Sequence, residues 1–154
     1  KDLEILQKYP NLNFLELVQG NINSLKGIEK YSNLSHVDFS YMSKLENIDS
    51  LANLNKLVDV KFDVCRKIKD FTCLSMLSNL KTLFINDCGS LPSLNFIDNL
   101  KVLEEVRFVN TNIEDGDLTP LLKLKKVGFS NKKHFSHSLE EIRNIIGDPL
   151  RSYL

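Results

Sequence analysis

Two stretches decide the fold: Leu57-Val58-Asp59-Val60-Lys61-Phe62-Asp63-Val64-Cys65 and Leu80-Lys81-Thr82-Leu83-Phe84-Ile85-Asn86-Asp87-Cys88. Both place apolar residues first, fourth and sixth and a thiol ninth. The same apolar-x-x-apolar-x-apolar pattern recurs at Leu12/Leu15/Leu17, Leu34/Val37/Phe39, Leu103/Val106/Phe108 and Leu124/Val127/Phe129, so six units start 22, 23, 23, 23 and 21 positions apart. Leucines placed by chance do not hold such a register. Within each unit the last two apolar residues alternate with outward ones at period two, and Val, Phe and Ile are frequent there, which predicts a short strand.

The second half of each unit keeps another rhythm, with apolar residues at every third position: Ile48, Leu51, Leu54; Ile68, Phe71, Leu74, Leu77; Leu91, Leu94, Ile97, Leu100. Three residues turn about 300° on an α-helix, so a long run at this spacing drifts off one face. Short, partly 3₁₀-like turns suit it better. A single strand-plus-return unit buries too little apolar surface to stand alone, so the units must stack side by side.

These residues resemble the leucine-rich repeat family, whose L-x-x-L-x-L-x-x-N/C-x-L pattern covers the chain from about Leu12 to about Phe135. The resemblance implies an α/β solenoid, a right-handed superhelix with about six short parallel strands on its concave face, short helical or 3₁₀ segments on its convex face and a C-terminal capping helix. The family's Asn or Cys position, which satisfies backbone groups at the turn out of the strand, falls here on Gly20, Met42, Cys65, Cys88, Thr111 and Lys132. Cys65 and Cys88 are expected to be buried turn thiols, and Gly20, Met42 and Lys132 to interrupt the ladder. Asn21-Ile22-Asn23-Ser24-Leu25 and Asn112-Ile113-Glu114-Asp115-Gly116-Asp117-Leu118-Thr119-Pro120-Leu121 are similar to the roughly 22-residue internalin-like subclass, which implies a bacterial source.

A single domain over 1–154 is expected, with six repeats over 12–135. Leu3, Leu6 and Tyr9 continue the every-third-residue rhythm, so 1–11 is the end of a preceding repeat or an N-terminal cap. The cap at the other end lies in 136–154. There Ser138-Leu139-Glu140-Glu141 is a capping box that opens a helix over roughly 138–146, with Leu139, Ile142, Ile145 and Ile146 on one face and Gly147 and Pro149 ending it.

The 154 residues carry 20 Lys plus Arg against 20 Asp plus Glu and are 42% hydrophobic, the composition of one soluble globular unit. Zero formal net charge gives no electrostatic case for a nucleic acid or an anionic membrane as partner. The longest apolar runs, such as Leu83-Phe84-Ile85, fall far short of the roughly 20 residues a membrane-spanning helix needs. Cys65, Cys73 and Cys88 are too few and too odd in number for a disulfide scaffold and suit a reducing compartment, so a cytoplasmic location is expected, although the first residue is Lys1 rather than Met.

No catalytic set is legible. His134 and His137 stand three apart beside Lys132 and Lys133 and lack a third metal ligand, so this segment reads as a solvated loop leading to the cap. Glu114-Asp115-Gly116-Asp117 lacks the alternating ligands and distal Glu of a calcium loop, and Asp117 is expected to cap the turn before Pro120. Neither a Gly-rich phosphate loop nor a nucleophile elbow is present. No enzyme, no cofactor and no metal site are expected.

What remains is the outward face of the strands, about 24 Å across for six strands spaced about 4.8 Å. Its residues approach the roughly 20 to 30 that one partner gives a standard protein interface. The candidate partner-binding residues are Phe14, Glu16, His36, Asp38, Tyr41, Asp59, Lys61, Asp63, Phe84, Asn86 and Arg107. Glu16, Asp38, Asp59 and Asp63 make the first three strands acidic, while Lys61, Arg107 and Lys126 add positive charge mostly later. A basic partner surface is therefore expected, on a monomeric chain. Phe84, read as an exposed aromatic, is the first hot-spot candidate, with Tyr41 and Phe14 next.

The expected function is thus non-catalytic protein recognition through the concave sheet. The stretch from Leu124 to Phe135 and the helix after it are similar to the ends of small cytoplasmic bacterial repeat proteins found beside toxin genes, which implies an immunity protein that occludes a toxin. The alternatives are a fragment of a secreted or surface adhesin or effector, and the substrate-recognition domain of a larger enzyme.

Overall fold

A computed structural model describes Leu3, Tyr9 and residues 11–148. Leu6, most of the expected N-terminal segment and the tail from Pro149 lie outside the described residues.

The chain forms β1 (Phe14–Val18), β2 (His36–Ser40), β3 (Asp59–Asp63), β4 (Thr82–Asn86), β5 (Ser90–Leu91), β6 (Glu105–Phe108), β7 (Asn112–Ile113), β8 (Lys126–Phe129) and α1 (Leu139–Ile146). Six strands make one open parallel sheet in the order β1-β2-β3-β4-β6-β8, while β5 and β7 pair separately at its flank. The register is that of the sequence repeat. Leu15, Val37, Val60, Leu83, Val106 and Val127 form one inward row across all six strands. These positions are buried. Behind them Phe39 stacks on Phe62 at 5.4 Å between ring centres, and Phe108 on Phe129 at 4.9 Å.

The return halves are 3₁₀ turns at Ile28–Lys30, Asp49–Asn53, Thr72–Met76, Asn95–Asn99 and Thr119–Lys123. Their geometry explains the three-residue rhythm. Leu51 donates its amide to Ile48, Leu54 to Leu51 and Leu57 to Leu54, and the same steps run Phe71-Leu74-Leu77-Leu80 and Leu94-Ile97-Leu100-Leu103. At three residues per turn every third side chain falls on the same side, so one buried row serves both hydrogen bonding and packing.

The last strand is covered rather than left open. Phe135 packs edge-on against Phe108 and Phe129 at 6.2 and 6.0 Å, and the His134 ring nitrogen Nε2 lies 2.9 Å from the Ile113 carbonyl. The segment is the exposed loop expected, with Lys133, His134 and Ser136 exposed, while Phe135 turns inward and adds a third ring to the buried Phe108 and Phe129 pair. Ser138 accepts the Glu141 amide and Glu141 accepts the Ser138 amide, which completes the capping box, and Gly147 closes α1 in the left-handed region at φ 71°. Ile142 is buried beneath the helix, whereas Ile145 is 60% exposed and leaves the expected apolar face. On an α-helix Leu139 and Ile145 stand about 60° to either side of Ile142, and only the Leu139 side packs on the repeats. Arg143 adds Nε and Nη2 donors to the Val127 carbonyl at 3.3 and 3.0 Å.

Candidate functional site on the open face of the sheet

Alternation along the strands sends every second side chain away from the core, and the parallel register lines these up in rows. One row reads Phe14, His36, Asp59, Thr82, Glu105, Lys126. The next reads Glu16, Asp38, Lys61, Phe84, Arg107, Gly128. Between them lies a depression of about 320 Å³ lined by Phe14, Glu16, His36, Val37, Asp38, Asp59, Lys61, Thr82 and Phe84. It brings together seven of the expected site residues. Tyr41, Asp63, Asn86 and Arg107 lie outside its lining, and the two lining residues absent from the expected set are Val37 and Thr82. Thr82 was legible as an outward strand position but carries no charge or ring to single it out.

The charges inside and beside the depression are unevenly engaged. His36 Nε2 meets Asp59 at 2.7 Å, and Ser35 Oγ approaches the other ring nitrogen at 2.7 Å, so the imidazole is held at both ends. Arg107 binds Glu105 within its own strand through Nε and Nη2, at 2.7 and 2.6 Å. Lys61 Nζ and Arg107 Cζ stand 5.6 and 5.0 Å from the centre of the Phe84 ring. Phe84 is thus half-buried between two cations rather than freely exposed, an arrangement favoured by the negative face of the ring. Phe14 is 54% exposed and Tyr41 53%.

Past the strand ends the chain turns through a residue of positive φ in each of the first five repeats: Gln19 (57°), Tyr41 (56°), Val64 (54°), Asp87 (50°) and Asn110 (55°). Side-chain type gives no hint of this column, since Tyr and Val avoid that region. The turn holds Asp87 near Asp63. Burial first, then the charges of Asp87 and Asp38, push the Asp63 carboxyl above the ordinary aspartate value.

Beneath that turn runs a ladder of side chains. Cys65 Sγ donates to the Phe39 carbonyl at 3.2 Å, Cys88 Sγ to Phe62 at 3.7 Å and Thr111 Oγ1 to Ile85 at 2.6 Å. Met42 continues it where an interruption was expected: it is fully buried, and its thioether accepts the Gly20 amide at 3.2 Å. A Cβ on Gly20 would overlap the Met42 methyl, so the glycine and the long side chain fit as a pair. The thiols are structural. The hydrogen bond with Cys65 and burial push the Cys88 thiol up, and burial raises Cys73, half-buried with Sγ 3.5 Å from the Ile48 carbonyl, to about 12. Cys73 and Cys88, held protonated, are poor nucleophiles; the hydrogen bond with Cys88 lowers the Cys65 thiol instead, and full burial keeps it from solvent.

Elsewhere, Asp117 Oδ1 accepts the Thr119 amide at 2.9 Å and caps the turn before Pro120. Among the described residues no group of three or more His, Cys, Asp or Glu is placed to hold a metal ion, and no helix is long and apolar enough to cross a membrane.

Comparison with known proteins follows the same repeat. The chain is 27% identical over 130 residues to a disease resistance protein, RFL1, of Arabidopsis thaliana, which covers 82% of this chain and 14% of that protein. It therefore spans about a seventh of the curated relative it matches. Among solved structures, internalin C2 of Listeria monocytogenes superposes with a TM-score of 0.60 at 19% identity, covering 88% of this chain and 68% of that one. An internalin (inlF) of the same species gives 0.53 at 18% identity, over 80% and 44%. At these identities the structures speak for the fold alone. The sequence profile described as BspA type Leucine rich repeat region matches in six copies over residues 16–142, most of the chain, and the protein belongs to that leucine-rich repeat family.

Proposed function

We propose that this chain is a non-catalytic recognition module that grips a partner protein through the open, concave face of its sheet. The observation that carries the reading is the unfilled depression of about 320 Å³ between the first two outward rows, walled by Phe14, Phe84 and three carboxylates. Phe84 near the middle of that face and the exposed Phe14 on its edge strand offer aromatic contact area of the kind that anchors protein interfaces. The acid-rich half formed by Glu16, Asp38 and Asp59 favours a basic partner surface and a faster encounter.

Neutralisation of a toxin by a cytoplasmic bacterial immunity protein is the narrower form of this reading. Its support is the likeness of residues 124–135 and the following helix to the ends of such proteins, together with three free thiols. An adhesin or effector fragment uses the same face on a host protein.

Affinity capture from a lysate of the source organism tests the reading when run with the chain, with Thr82→Trp and with Met76→Ser. Thr82 lines the depression, whereas Met76 sits in a 3₁₀ turn of the return layer and is 64% exposed. The expected result is one protein retained by the chain and by Met76→Ser and lost from Thr82→Trp. Retention unaffected by Thr82→Trp contradicts it.

A further inference from the structure

The depression on the sheet face holds two carboxylates, Glu16 and Asp38, that form no ion pair among the described residues. Glu16 and Asp38 are direct partners in the β1–β2 register. Like charges directly opposite across a ladder are destabilising. Lys61, the register partner of Asp38 on β3, leans over Phe84 and forms no ion pair with Asp38, Arg107 is tied to Glu105, and His36 is tied to Asp59. Asp38 accepts the Ser40 hydroxyl at 3.1 Å. Among the described residues no cationic side chain forms an ion pair with Glu16 or Asp38.

The wall beside this pair is aromatic. Phe14 is exposed and lies in the adjacent row, its ring 6.5 Å from that of His36 and tilted by 37°. At about 320 Å³ the depression stands at the lower end of the roughly 300–1,000 Å³ of small-molecule sites, which suits one long side chain better than a cofactor. A lysine ammonium is a compact charge that serves one carboxylate well. A guanidinium is planar, carries five donors in a fixed fork and stacks on an aromatic face, so it can serve two carboxylates and a ring together.

We infer that the depression receives an arginine side chain of the partner protein, its guanidinium bridging Glu16 and Asp38 and its flat face lying against Phe14. This inference rests on the concave-face reading above. It names the partner's anchoring residue and locates the anchor on the β1–β2 side of the depression, whose far side is lined by Lys61 and Phe84.

The test is an amide-resolved NMR titration of the full chain with three capped pentapeptides, acetyl-Gly-Ser-X-Ser-Gly-amide, where X is arginine, lysine or the neutral isostere citrulline. The arginine peptide is expected to shift the amides of residues 15–17 and 37–39 saturably, and to bind about tenfold more tightly than the citrulline peptide and measurably more tightly than the lysine peptide. Glu16→Gln with Asp38→Asn is expected to weaken the arginine peptide about tenfold while amides outside β1 and β2 keep their positions, and Phe14→Ala to remove its advantage over lysine. Equal binding of citrulline overturns the inference, as do equal binding of lysine and shifts that the double variant leaves unchanged. A captured partner that is lost from Thr82→Trp yet kept by the double variant overturns the arginine site and leaves the concave-face reading standing.

Discussion

Thr111 Oγ1 lies 2.6 Å from the Ile85 carbonyl oxygen and donates to it, while the same hydroxyl accepts the Cys88 amide at 3.0 Å. Thr111 is fully buried, so no water stands ready to replace either bond. Thr111→Val keeps the shape and orphans two backbone groups, for an expected loss of about 1–3 kcal/mol. The loss should appear as a lower urea midpoint at unchanged slope. Thr111→Cys is expected to lose less, because Cys88 and Cys65 already make the equivalent bond one and two repeats earlier.

Val64 occupies the left-handed region at φ 54°, where a β-branched residue is most strained. Asn110 fills the equivalent position two repeats later with a residue that tolerates that conformation. Val64→Asn is accordingly expected to stabilise the fold by up to about 1 kcal/mol, measured as a rise in thermal midpoint. A fall would mean that the half-buried valine contributes more by packing than its backbone loses.

Ser138→Ala removes the hydroxyl that receives the Glu141 amide and is expected to destabilise α1 by about 1 kcal/mol. Because α1 seals the last strand, the effect should show first as faster hydrogen exchange at residues 139–146 and at β8. Uniform acceleration across all six repeats would mean the cap unfolds only with the whole chain.

Asp63 gives a pH dependence whose sign follows from its surroundings. Burial and two neighbouring carboxylates raise its folded-state value, so the folded chain holds the proton more tightly than the unfolded chain. Its contribution therefore favours folding in acid and opposes it once pH rises through that raised value. Asp63→Asn is expected to raise the thermal midpoint at pH 7, with the gain shrinking as pH falls through the raised value and gone below the ordinary aspartate value. A gain that is constant with pH would assign the effect to packing.

The strands, their register and the 3₁₀ character of the returns were legible because each rests on a period that side-chain type reveals: two along a strand, three along a return, and 21 to 23 between repeats. The ladder was only half legible. Cys65, Cys88 and Thr111 carry donors that announce their role, whereas Met42 joins it by length and by the missing Cβ of Gly20, a relation between two residues that neither shows alone. The site was legible as a set of outward residues but not as an arrangement. Nothing in the linear order says that Lys61 and Arg107 come to flank Phe84, which removes that ring from free exposure, or that His36 and Asp59 satisfy each other while Glu16 and Asp38 form no ion pair among the described residues. Such pairings depend on rotamers chosen across three strands.

The central claim, that the sheet face grips a partner, is tested most directly by photo-crosslinking. A benzophenone side chain is placed at Val18, on the exposed acidic end of the sheet face, and in a second chain at Met76 on the return layer. The account predicts a single crosslinked partner from Val18 and none from Met76. Crosslinking from Met76 with none from Val18 would contradict it.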